Sequence, residues 1–295
     1  MRIGAHVPMD GGLAAALDYA LETGSEAFQL FAKSPRRWSG PKRPPEEASA
    51  FRTACAAAGI GPVFTHASYL INLGASDPLQ WEKSCAALAD EMTRAYEIGA
   101  AGVVVHLGTR FCDDDDGACT ARVAETVRRA ADYATGPVAP VLLENAAGAG
   151  RQYGTDAHEM AEALVAVRAT GVAAGLCVDT CHAFAAGIDL RGMEGWEGLL
   201  GHLDAHCGPG AVVLVHANDC KGEFGSHRDR HEWIGDGFVG ESGFAAMFGH
   251  PSLATATAIV EMPGEAPGKD IENVTRLKRL RGVAEASAGP GPEPV

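Results

Sequence analysis

Short runs of β-branched and other apolar residues alternate along the chain with longer, alanine-rich stretches whose apolar positions recur at helical spacing. The short runs predict strands at residues 2–7, 27–32, 62–66, 102–106, 141–144, 175–179, 212–216 and 258–261. Between them the periodicity predicts helices, among them 12–21, 45–58, 80–98, 118–134, 157–169 and 192–206. Strand and helix alternating in this way imply parallel pairing through right-handed crossovers. Eight such units in roughly 280 residues fit a single closed α/β domain, the (β/α)8 TIM barrel, whose usual size is ~250 residues. A doubly wound open sheet is the competitor, but the Gly-rich nucleotide turn that goes with it is missing. The barrel is assigned to residues 1–284. Residues 285–295 are rich in Pro and Gly, have no apolar period, and read as a disordered tail.

In a barrel of this kind reactive groups sit where strands end, at the C-terminal rim. Those ends carry His66, His106, Glu144, Asp179, His216 and Glu261 on six consecutive strands. One such residue is ordinarily a packed or capping group, but six aimed at one rim point to bound metal. Imidazole with carboxylate suits zinc, or manganese where oxygen ligands dominate. Three histidines and three acids exceed the needs of one tetrahedral ion, so two or more ions follow, and Glu144 or Glu261 can bridge them. Asp179-Thr-Cys-His182 adds His182 on the loop after strand 6, and Arg228-Asp-Arg-His231 puts Asp229 and His231 two apart in an extended loop. His182, Asp229 and His231 together supply three ligands and leave a position open, as in catalytic sites. The bland reading of these segments is a helix cap at Asp179 and a surface charge cluster at 228–231. Cys177 and Cys181 flank Asp179 and read as reduced bystanders.

Composition narrows the class. The 295 residues are 46% hydrophobic and 21% charged, which rules out disorder or collagen-like repetition for the bulk of the chain. No apolar stretch approaches the ~20 residues of a membrane span, and no signal-peptide pattern precedes the first strand. Eight cysteines are too few for a disulfide scaffold, so a cytoplasmic location with reduced thiols is expected. Asp113–Asp116 is a run of four acids that suits a solvated helix N-terminus.

A net charge of −14 argues against coating nucleic acid with the whole surface. It leaves room for a local basic edge. Lys33, Arg36, Arg37, Lys42 and Arg43 crowd the loop after strand 2 around Trp38, without an acid among them. Arg151, Lys221, Arg228 and Arg230 fall on loops of the same rim, and Tyr69-Leu70 after strand 3 offers an aromatic and an aliphatic wedge. Basic groups that track phosphates and wedges that unstack bases suit an enzyme acting on a duplex lesion. A solvated loop with Trp38 packed on the barrel is the alternative.

Three segments are more specific: His66-Ala-Ser-Tyr-Leu-Ile-Asn-Leu-Gly74, Gly175-Leu-Cys-Val-Asp-Thr-Cys-His-Ala-Phe-Ala-Ala-Gly187, and His216-Ala-Asn-Asp-Cys-Lys221 through Asp229-Arg-His231. With them the chain resembles the endonuclease IV family, apurinic/apyrimidinic endonucleases with a trinuclear metal site, from Ile3 to beyond Glu261. The resemblance implies that His66, His106 and Glu144 hold one ion, and that Glu144 bridges to a second held by Asp179, His216 and Glu261. His182, Asp229 and His231 then hold a third. It implies zinc, with manganese admissible at one position, and damaged double-stranded DNA as partner of a monomeric chain. Tyr69, Leu70 and Arg36 match the duplex-penetrating positions, with Lys33, Arg37, Trp38, Arg228 and Arg230 as further DNA contacts. Three residues depart from the usual pattern: Ser34 where Asn is frequent, Arg37 where a neutral residue precedes the Trp, and Ala146 where Thr is common.

The implied reaction is hydrolysis of the phosphodiester 5′ to an abasic site, with 3′ blocking groups as secondary substrates and Glu144 and Glu261 as the catalytic carboxylates. Three divalent ions against four carboxylates would leave the rim at about +2, so an acidic body can present one cationic face to a polyanion. Two rivals remain at this point. A metal-dependent sugar isomerase or epimerase would use Glu144, Asp179, His216 and Glu261 but gives the other ligands and the basic loop no task. A lesion-binding protein that does not cut would bind DNA without turnover.

Overall fold

In the computed structural model, which describes residues 1–111, 116–261 and 267–287, the apolar runs close into a parallel barrel. The elements in chain order are β1 (Arg2–His6), α1 (Gly12–Glu22), β2 (Ala27–Phe31), α2 (Pro45–Ala58), β3 (Val63–His66), α3 (Pro78–Glu97), β4 (Val103–His106), α4 (Asp116–Tyr133), β5 (Val141–Glu144) and α5 (Ala157–Ala169). They continue with β6 (Ala174–Asp179), α6 (Thr180–Ala186), α7 (Met193–Cys207), β7 (Val212–His216), β8 (Asp219–Cys220), β9 (His231–Glu232), α8 (Gly240–Gly249), a 3₁₀ turn (Pro251–Leu253), β10 (Thr257–Val260) and α9 (Pro267–Ser287). Strands β1 to β7 and then β10 pair in sequence, and β10 returns to β1, so the barrel has no free edge. β8 and β9 form a short antiparallel ribbon beyond the end of β7.

Helix boundaries follow local chemistry. α3 starts at Pro78 after Asp77, whose side chain accepts the Gln80 N–H at 2.8 Å. α5 starts after Asp156, which caps Glu159 in the same way. Around the outside α1, α2, α3, α4, α5, α7, α8 and α9 pack each against the next, and α9 meets α1 again. Among the described residues no cysteine is in a disulfide, and no helix is long and apolar enough to cross a membrane.

Two expectations need correction. Residues 180–186, read as loop, form the helix α6. α9 runs to Ser287, three residues into the expected tail, while 288–295 lie outside the described residues. The acid run Asp113–Asp116 also lies outside them, apart from the backbone of Asp116 at the start of α4.

Inside the barrel, Ala27, Phe64, Val104, Leu142, Cys177, Leu214 and Ile259 form one buried cluster, one residue from each of seven strands. Burying each of the large members contributes about 1.5–3 kcal/mol. The eighth strand brings Gly4 beside Ala27, where a Cβ would fall 1.6 Å from the Ala27 carbonyl oxygen, so only glycine permits this approach. This apolar layer is the floor of the site.

Candidate metal centre and nucleic-acid interface

Side chains on a strand alternate faces, so the residue two positions beyond each floor residue points into the same barrel mouth. Counting from Gly4, Ala27, Phe64, Val104, Leu142, Cys177, Leu214 and Ile259 gives His6, Gln29, His66, His106, Glu144, Asp179, His216 and Glu261. The six strand-end residues expected as ligands are thus one layer of a barrel, and His66, Glu144, Asp179 and His216 are buried.

Ligand-type atoms at this mouth gather in overlapping sets, each within 4.8 Å, among them His66–His106–Glu144, Glu144–Asp179–His216–Glu261 and, with residues of α6 and β9, Asp179–His182–His231. In the first, the Nε2 atoms of His66 and His106 lie 3.2 and 3.4 Å from Glu144 Oε2. In the second, His216 Nδ1 is 2.9 Å from Glu144 Oε1 and 3.2 Å from Glu261 Oε2. Asp229 joins the third, with its oxygens 3.3 Å from His182 Nε2 and 3.2 Å from His231 Nε2. All nine expected ligands are brought together. Asp179 serves two purposes, because its Oδ1 accepts the His182 N–H at 2.7 Å and starts α6. The helix cap suggested as the bland reading is real, and by starting α6 it places His182 one turn on.

The imidazoles are arranged as metal ligands are. His66 Nδ1–H donates to the Ala67 carbonyl (2.8 Å), His182 Nδ1–H to Asn145 (3.0 Å) and His231 Nδ1–H to Glu261 (2.8 Å). Each thereby turns its Nε2 towards the carboxylates, where an ion would replace the proton. His216 is turned the other way and donates Nε2–H to Gln29 Oε1 at 2.9 Å, leaving Nδ1 inward. His106 Nδ1 is buried without a protein partner. Asn218 donates to Asp179 Oδ2 at 2.6 Å and accepts the Glu261 N–H at 2.8 Å, fixing two acids at once. Inward ring nitrogens, anchored outer nitrogens and clustered carboxylates fit divalent ions.

The electrostatics follow. Burial opposes ionisation of Glu144, but the charges of His106 and His216 outweigh it and hold the carboxyl well below its ordinary range. Burial would lower His66 and His231 too, yet Glu144 raises the first to about 9 and Asp229 with Asp179 the second to about 9. Glu261 and Asp229 are likewise held low against the cost of burial by the histidines facing them. Burial pushes the Cys177 thiol up, and a hydrogen bond with the Cys220 thiol does so for Cys181, although each sulfur also lies within 4.8 Å of two of the expected ligands.

On the rim, Tyr69 is 62% exposed, and its ring stands 5.7 Å from that of His66. Leu70 beside it is half-buried, and Arg36, Arg37, Arg228 and Arg230 are exposed. Trp38 packs partly against the barrel core. Lys33 departs from its expected place at the interface. Its ammonium is buried, 2.9 Å from Asp90 and 3.2 Å from Glu91, because the chain turns it inward onto α3. Glu91 also accepts the Ser68 N–H at 3.0 Å, while Ser68 Oγ and Tyr69 N donate to the Pro35 carbonyl at 2.7 and 3.2 Å. Lys33 therefore braces the Arg36 loop against the Tyr69 loop. Lys33→Met leaves Glu91 buried without its cation and should cost about 3 kcal/mol in a denaturant titration; an unchanged midpoint would remove the brace.

Sequence reasoning missed His6, Gln29, Asn145, Asn218 and Asp219. The last accepts N–H groups of Gly235, Gly237, Val239 and Gly240 and shapes the chain that follows His231. The asparagines at 145 and 218, just past strand ends, were a visible signal, whereas the apparent strand end at Val7 hid His6.

Residues 17–281 match the family model described as a xylose isomerase-like TIM barrel. A relative from Methanoculleus marisnigri, named "Probable endonuclease 4", is 39% identical over 282 residues, 95% of this chain and 99% of its own. The structure of endonuclease IV from Thermus thermophilus superposes with a TM-score of 0.83 at 36% identity, covering 96% of this chain and 100% of that one. A D-tagatose 3-epimerase-like protein superposes with a TM-score of 0.72 over 98% of this chain and 100% of its own, but at 17% identity, a likeness of fold alone. The epimerase-like protein therefore shares only the fold with this chain, whereas sequence identity of 36–39% over nearly the whole length lies with the endonucleases. The chain belongs to the endonuclease 4 family, DNA-repair nucleases built on the xylose isomerase-like barrel.

Proposed function

We propose that the chain hydrolyses the phosphodiester 5′ to an abasic site in double-stranded DNA, leaving a 3′-hydroxyl and a 5′-deoxyribose phosphate. It also removes 3′ blocking groups, and it works as a monomer in the cytoplasm. The carrying observation is the convergence of nine ligand groups into three sets joined through Glu144 and Asp179, beneath an exposed Tyr69. His66, His106 and Glu144 would hold one divalent ion, Glu144, Asp179, His216 and Glu261 a second, and His182, Asp229 and His231 a third. Zinc suits all three positions, and manganese the carboxylate-rich second one. Such ions supply a water acidic enough to ionise near neutral pH and positive charge opposite the phosphate oxygens.

The chain's own residues do the rest. Glu144 and Glu261 fix the geometry in which water meets phosphorus opposite the P–O3′ bond that breaks. Tyr69 and Leu70 enter the duplex, and Arg36, Arg37, Arg228 and Arg230 meet the phosphates, with Trp38 seating the first loop. A missing base lowers the cost of turning the sugar out of the stack, which gives selectivity for the lesion.

The test is cleavage of a duplex carrying one abasic-site analogue, with both product ends mapped. A 3′-hydroxyl next to a 5′-deoxyribose phosphate is expected. Binding without cleavage would favour the lesion-binding reading, and turnover of ketoses instead would favour the sugar reading. Arg36→Ala should weaken binding and make the slope of log affinity against log salt shallower by about 0.9, the share of one neutralised phosphate. An unchanged slope would take that loop off the interface.

A further inference from the structure

Eight side chains form the barrel's upper layer, and the ligand sets use six of them. The other two are His6 and Gln29, from the ends of β1 and β2. Gln29 is fully buried, a location that costs an amide dearly unless its polar atoms are paired. They are paired with two of the ligands. Its Nε2 donates to Glu261 Oε1 at 2.7 Å, and its Oε1 accepts from His216 Nε2–H at 2.9 Å. His6 closes the third side, with Nδ1 2.9 Å from Gln29 Nε2 and 3.1 Å from Glu261 Oε1.

His216 is thereby unlike three other histidines of the centre. His66, His182 and His231 anchor their outer N–H on main-chain carbonyls, which no side-chain substitution removes. The outer N–H of His216 rests on a side chain. An acceptor at Nε2 keeps a proton there, so that Nδ1, which faces Glu144, Asp179 and Glu261, is the nitrogen an ion would take. The same amide orients Glu261 through its other end, so one residue sets two ligands of one ion.

We infer that Gln29, supported by His6, is a positioning residue that fixes the tautomer of His216 and the orientation of Glu261 for the ion these two share. This rests on the metal-centre reading above. Gln29→Met fills nearly the same space and makes neither hydrogen bond. Gln29→Glu keeps an oxygen that accepts from His216 and gives up the donor to Glu261.

Ion retention is measured on the loaded, full-length proteins by dialysis against graded chelator and elemental analysis, with melting curves recorded alongside. Gln29→Met should release one ion at 10–100-fold lower chelator than the unaltered protein. Its kcat should fall while KM for the lesion duplex holds, because the DNA-facing residues are untouched. Gln29→Glu should recover only part of the retention, because it restores the acceptor for His216 but sets an oxygen against Glu261 Oε1. If Gln29→Met holds its ions as tightly as the unaltered protein, the assignment is wrong. Should both variants lose the ion equally, the acceptor for His216 contributes nothing and the tautomer assignment falls. Fewer than three ions on the unaltered protein would count against the three-ion reading, while the Gln29 comparison would still be decided by the ion shared by His216 and Glu261.

Discussion

Glu261→Gln is expected to abolish strand cleavage at an abasic site and to leave the barrel folded. Glu261 follows β10 at the barrel mouth, with one oxygen 3.2 Å from His216 Nδ1 and the other receiving the Gln29 amide at 2.7 Å. Glutamine has the same shape but no charge, and it places an NH₂ group where one of those oxygens accepts or coordinates. The set formed with Glu144, Asp179 and His216 would lose a ligand, and the geometry in which water meets phosphorus would go with it. A fall in the single-turnover rate of at least about 1000-fold, equivalent to ~4 kcal/mol of barrier, is the expected size. Folding should survive, because the main-chain N–H of Glu261 still donates to Asn218 Oδ1 at 2.8 Å and the strand registers are untouched. Far-UV circular dichroism and melting curves check the fold. Wild-type cleavage by this variant would sink the proposed mechanism.

Metal removal is the second large effect. Chelation should eliminate cleavage and lower Tm by something on the order of 10 °C, since an ion present at a thousand times its Kd contributes about 4 kcal/mol. The loss should also depend on pH in a defined direction. In the stripped protein His66 and His231 are raised from 6.5 to about 9 by the carboxylates they face. A histidine raised on folding stabilises the folded state fully below pH 6.5, and that contribution disappears as pH climbs through 9. The depressed carboxylates Glu144, Glu261 and Asp229 act in the opposite sense, and only at acid pH. Ions take the place of these protons, so the gap in Tm between loaded and stripped protein should widen from pH 6 to pH 9. A gap that narrows over this range would mean that the histidines do not face the ions.

The strand and helix periods made the barrel readable, because each unit buries a face whose spacing is local to the sequence. The cluster of candidate ligands was readable for the same reason, since six strands end in a metal-binding type. His6 and Gln29 sit in the same layer and were passed over. The first two apolar runs continue to Val7 and Ala32, which hid the inward-facing residue behind an apparent later end, and glutamine is not a ligand type. Lys33 shows the other limit. Its charge is visible in the sequence, but the carboxylates that bury it, Asp90 and Glu91, lie on α3 and become neighbours only in the fold. α6 is a single short helix whose cap is itself a candidate ligand, so neither its length nor its first residue distinguishes it from a loop.

The most direct measurement pairs elemental analysis with cleavage of a duplex bearing one abasic-site analogue, on one preparation of the unaltered protein. Close to three divalent ions per chain together with an incision on the 5′ side of the lesion is the expected result. One or two ions, or a full complement without incision, would contradict the account.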